Sequence, residues 1–162
     1  MASEESTGPP PVERIGWSLL AGGCFAASAS LFVVPFIGAG RVWSNPLSDS
    51  DAALGVAALL AAFLVGGASW YYVEANATRR YVSAGVVAGV VTGTVAHPVM
   101  WFLWGLFGGS LFYAVLFVVV PLFWLFGLLL FGIVTIPLAV GAGVVVGTLR
   151  IVTIRYRERR AE

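Results

Sequence analysis

His97 is the one side chain whose ordinary titration falls near neutral pH within a run of 69 residues, 81–149, that holds no Asp, Glu, Lys or Arg. An imidazole in such surroundings can relay a proton, bind a metal or sense pH. Pro98 follows it and has no N–H, so it frees a carbonyl one turn earlier, near Thr94, where a cation or polar substrate can be accepted. Each of these chemistries needs further parts. A relay or metal centre takes a second ligand or acid, and the run supplies no carboxylate, Lys or second His, so no metal and no other cofactor is expected. The hydroxyls of Ser28, Ser30, Ser69, Thr92 and Thr94 have only His97 as a base, and no spacing among them marks a nucleophilic dyad. Ordinary enzyme chemistry is therefore not expected and no catalytic residue is assigned. The simpler reading of His97 and Thr94 is structural: a neutral imidazole hydrogen-bonded to Thr94 or to a carbonyl, supporting a kinked helix.

A second pattern concerns packing. Gly85, Gly89 and Gly93 recur every four residues and share one helical face, with His97 next in the series. Such a seam lets a neighbouring backbone come close, where dispersion replaces the hydrophobic drive that lipid removes. Ala58, Ala62 and Gly66 repeat the spacing earlier in the chain, and Ala139, Gly143 and Gly147 repeat it later. The seam predicts packing inside one subunit first and self-association second. Trp101, Trp104, Trp124 and the many Phe of residues 102–131 admit a hydrophobic ligand pocket, although an interfacial belt with lipid-facing bulk explains them more simply.

The elements that hold these residues follow from composition. Hydrophobic residues are 59% of the chain and charged ones 10%, which excludes a soluble domain with a polar surface. The net charge of +1, with its only basic cluster in a short tail, excludes a nucleic-acid binder. Cys24 is alone, so no internal disulfide or redox pair forms. The fold class expected is all-α, a polytopic membrane bundle. One span is read from about Gly16 to Gly40, a second from Ala52 to Val73 and a third from Tyr81 to Phe107. Residues 1–14 read as a disordered tail, 15–154 as the membrane domain and 155–162 as a basic tail.

The remainder, 111–154, is too long for one span and awkward for two. Arginine placement arbitrates. With four crossings, Arg14, Arg79, Arg80, Arg150, Arg155, Arg157, Arg159 and Arg160 lie on one side and Arg41 alone on the other. Four spans are therefore expected, the last from about Gly132 to Leu149 and bent at Pro137, with Leu111–Phe131 as a re-entrant hairpin divided at Pro121; five spans are the alternative. The cell membrane is the expected location, with the C-terminus cytoplasmic. Asn76-Ala77-Thr78 matches a glycosylation sequon but falls beside Arg79 and Arg80 on that inner side.

Function is the least legible layer. Small-residue seams, few polar groups and almost no extramembrane domain suggest a scaffold or accessory subunit whose partners are the bilayer and another membrane protein or a second copy of itself. The alternative is a small transporter or channel for neutral or weakly polar solutes. On the scaffold reading, His97→Ala leaves assembly and activity intact, whereas Gly89→Leu disrupts folding or association.

Overall fold

Hydrocarbon offers peptide groups no water, so apolar segments of this length must close their hydrogen bonds internally as helices. The computed structural model describes residues 10–37, 50–76, 80–107, 112, 115 and 121–161. Four long helices make up almost all of this: α1 (Pro11–Ile37), α2 (Ser50–Ala75), α3 (Tyr81–Phe107) and α4 (Pro121–Ala161). All four are long and apolar enough to cross a membrane, and no strand occurs among the described residues.

Local signals set the helix ends. The Pro10 carbonyl accepts from the N–H groups of Glu13 and Arg14, so α1 starts four residues inside the stretch expected to be a disordered tail. Pro11 suits the first helical position because the amide hydrogen it lacks has no intrahelical partner there. At the end of α2 the Asn76 side chain donates to the Tyr72 carbonyl, filling one of the acceptors a helix terminus leaves open. Arg80 opens α3, its carbonyl accepting from Ala84 N–H and from the Ser83 hydroxyl.

The helices form an up-down-up-down ring in which each packs on its chain neighbours and α4 closes back on α1. Glu13 of α1, Glu74 of α2 and Arg150 of α4 meet at one end, and the Tyr81 ring of α3 faces the same guanidinium. The start of α1, the end of α2, the start of α3 and the C-terminal half of α4 therefore share that end. Antiparallel α3 and α4 correspond to an even number of crossings.

α4 departs from expectation. It is a single helix of 41 residues, about 61 Å long at 1.5 Å per residue and so about twice the hydrocarbon thickness. Residues 121–131, expected to form the second half of a re-entrant hairpin, are instead its first three turns, and the expected start at Gly132 falls within it. Starting at Pro121 is natural for a residue that suits the first helical turn. The expected first half of the hairpin lies outside the described residues, apart from helical Phe112 and Val115. The basic stretch 155–161 also continues α4 with its side chains exposed.

Glycine sets the closest approaches. A Cβ at Gly85 would collide with the Gly143 carbonyl, and one at Gly143 with the Gly85 carbonyl. A Cβ at Gly89 would lie 2.5 Å from Val140 Cα, one at Gly93 2.9 Å from Ile136 Cα, and one at Gly147 would meet the Tyr81 carbonyl. Gly85, Gly89 and Gly93 of α3 thus face Ala139, Gly143 and Gly147 of α4 backbone to backbone, inside one chain. α1 and α2 use the same device, with a Cβ at Gly22 2.7 Å from the Phe63 carbonyl and one at Gly67 3.0 Å from that of Ser18. The bundle is built from two tightly fused hairpins, α1–α2 and α3–α4.

Candidate functional site

Between the two hairpins lies a cavity of about 220 Å³ with walls from all four helices. α1 lines it with residues from Phe25 to Val33, α2 from Leu54 to Ala62, α3 from Thr92 to Trp101 and α4 from Phe131 to Ala139. Gly93 and Ala139, at one end of the α3–α4 seam, lie on its wall. Phe25 at its margin belongs to a packed layer with Ala21, Trp70, Ala88 and Val146, which separates it from the charged end of the bundle.

No lining residue is charged. Two of the lining hydroxyls are paired with helix carbonyls: the Ser28 hydroxyl donates to the Leu138 carbonyl at 2.9 Å, tying α1 to α4, and Thr92 donates to the Ala88 carbonyl of its own helix at 2.7 Å. Thr135 Oγ1 and His97 Nε2 stand 3.5 Å apart across the α3–α4 boundary, too far for a strong hydrogen bond. His97 is 6% exposed. Its Nδ1 is buried near the Gly93 carbonyl one turn back without completing a hydrogen bond to it.

His97 and Thr94 are not brought together. Thr94 turns its hydroxyl back on its own helix, donating toward the Val90 and Val91 carbonyls at 2.9 and 3.0 Å, a common habit of helical threonine. The carbonyl that Pro98 frees is occupied: Trp124 of α4 donates its indole N–H to Thr94 O at 3.1 Å. A backbone acceptor proposed for a cation or substrate is therefore closed by an aromatic side chain from the segment expected to be a hairpin.

The charged end contains residues that sequence reasoning did not single out. Arg150 and Glu74 are each 2% exposed. Arg150 Nη1 donates to Glu13 Oε1 at 2.5 Å, and its Nε lies 2.8 Å from Glu74 Oε1 without aiming its hydrogen at that oxygen, an ionic contact without hydrogen-bond alignment. Trp70 Nε1 donates to the other Glu74 oxygen at 3.1 Å, and exposed Arg157 adds a second bond to Glu13 at 2.8 Å. The Arg150 guanidinium sits 5.0 Å from the Trp17 ring centroid and 5.7 Å from that of Tyr81. Arg14 lies over the Tyr71 ring at 4.3 Å and donates to the Tyr71 carbonyl near the end of α2. The acids of this cluster are on the α1–α2 hairpin and its bases, Arg150 and Arg157, on the α3–α4 hairpin. A signal was present in the chain: Glu13, Glu74 and Arg150 fall on one side of a four-span threading.

No group of three or more His, Cys, Asp or Glu able to hold a metal occurs among the described residues. Comparison with family models, with curated proteins and with solved structures found no match.

Proposed function

We propose that this protein is a small carrier or channel for neutral or weakly polar solutes, with the central cavity as its solute site. The cavity carries this reading: it draws walls from both hairpins and contains the one intramembrane imidazole. Membrane binding sites are commonly found between repeats or bundles that move against each other. Each hairpin here is fused by backbone contact and is suited to move as a unit. The Arg150–Glu74–Glu13 cluster joins the hairpins at one end and serves as the closed gate there. We place the protein in the cell membrane with four crossings and its C-terminus on the arginine-rich cytoplasmic side.

The scaffold or accessory-subunit role is the second reading. The seams that suggested it are occupied within the chain, so a partner would use the outward face of α4, where Leu125, Leu129 and Ile133 are exposed. Two measurements separate the readings. Purified protein in liposomes is expected to speed equilibration of small neutral solutes, and Ala58→Trp, which fills the cavity from α2, is expected to stop it. No flux above protein-free liposomes, together with a stoichiometric second polypeptide in native mass spectrometry, refutes the carrier reading and supports the scaffold.

A further inference from the structure

Resting on that carrier reading, we propose that the cavity takes a neutral hydrocarbon-like molecule bearing a single hydroxyl, and that the hydroxyl bridges His97 Nε2 and Thr135 Oγ1. Size sets the first limit. A cavity of 150 Å³ holds benzene, so by proportion 220 Å³ holds about nine non-hydrogen atoms. Charge sets the second: with no ionisable partner but His97 on the walls, a carboxylate or ammonium would lose its hydration with nothing to replace it.

The polar inventory sets the third limit. Ser28 and Thr92 have spent their hydroxyl protons on helix carbonyls. His97 Nε2 and Thr135 Oγ1 remain, both on groups lining the cavity and only weakly engaged with each other across 3.5 Å. With the proton on Nδ1, next to the Gly93 carbonyl, Nε2 is an acceptor. A guest hydroxyl can then donate to Nε2 and accept from the Thr135 O–H. The pair serves one such group, which suits alcohols and phenols. The remaining walls, including Phe25, Phe32, Leu54 and Phe131, meet the hydrocarbon part.

The test compares three probes of nine non-hydrogen atoms on the full-length protein in detergent by saturation-transfer NMR: 4-ethylphenol, 1-ethyl-4-methylbenzene, which replaces the hydroxyl by methyl, and benzoate, ionised at pH 7.5. Ala58→Trp provides the blank for partitioning into detergent. Wild type is expected to bind the phenol about tenfold more tightly than the hydrocarbon, the effect of one hydrogen bond of about 1.4 kcal/mol, and not to bind the benzoate. Thr135→Val keeps shape and removes the hydroxyl; it is expected to bring the phenol-to-hydrocarbon ratio near one with hydrocarbon binding unchanged, which also shows that the variant is folded. Equal binding of phenol and hydrocarbon by wild type, a preference that survives in Thr135→Val, or binding of the benzoate overturns the ligand class and leaves the carrier reading standing. Binding of none of the three by wild type overturns both.

Discussion

Replacing Arg150 by Met is expected to cost more than removing Arg150 and the charge of Glu74 together. The Arg150 side chain is 3% exposed and that of Glu74 fully buried, and among the described residues Arg150 is the only cation paired with Glu74. Removing one member of a buried ion pair leaves an uncompensated charge and typically costs about 3–5 kcal/mol. Glu13 suffers less, because it is partly exposed and keeps Arg157. In the double variant Glu74→Gln/Arg150→Met no charge is stranded at Glu74, and the Gln carbonyl still accepts from the Trp70 indole. What remains is loss of the Arg150–Glu13 bond and of the ring contacts with Trp17 and Tyr81, about 1–2 kcal/mol together. The single variant should therefore exceed the double by about 2–3 kcal/mol. Reversible unfolding of both variants in bicelles reads that difference, and adding Glu74→Gln completes the cycle that gives the coupling energy. If Arg150→Met proves no more destabilising than the double variant, the cluster is not an electrostatic lock and the proposed gate loses its basis.

Other expectations follow from the same geometry. Gly143→Ala places a methyl on the Gly85 carbonyl and should cost about 3 kcal/mol or more, Gly89→Leu should abolish folding, and Gly141→Ala, with nothing within 4 Å, should be neutral or stabilising by up to about 1 kcal/mol; unfolding in bicelles and size-exclusion profiles check all three. Trp124→Phe uncovers the Thr94 carbonyl and should destabilise by about 1 kcal/mol, an effect that should vanish in a Pro98→Ala background, where residue 98 regains an N–H for that carbonyl. In a Cys24→Ser background, Leu122→Cys and Ala161→Cys should react with impermeant thiol reagents from opposite sides, since roughly 42 Å of continuous helix separates residue 122 from Arg150; labelling of both from one side would contradict the α4 path.

Much of the architecture was legible in the chain. The 69-residue uncharged run required several spans, and α3 occupies the residues its hydropathy marked out. The arginine distribution favoured an even count of crossings, which matches antiparallel α3 and α4. The spacing of Gly85, Gly89 and Gly93 marked a face that meets another backbone closely. These inferences rest on local or one-dimensional facts: the length an apolar segment needs, the period of a helix and the side on which charge falls.

Tertiary structure decided the rest, because it depends on which faces meet. Two runs of small residues cannot say whether they will pack on each other or on another molecule; the carbonyl contact of Gly85 with Gly143 turns both inward. Pro98 predicts a freed carbonyl, but only the approach of α4 brings Trp124 to close it. Pro121 reads in the sequence as the divide of a hairpin, whereas it opens a continuous helix that runs to Ala161. Glu13, Glu74 and Arg150 lie up to 137 residues apart, so their cluster exists only when three helix ends converge. The chain by itself determined that several apolar helices must form and how closely they can approach; their convergence decided where charge is buried and where a cavity is left, because both arise between helices and not along any one of them.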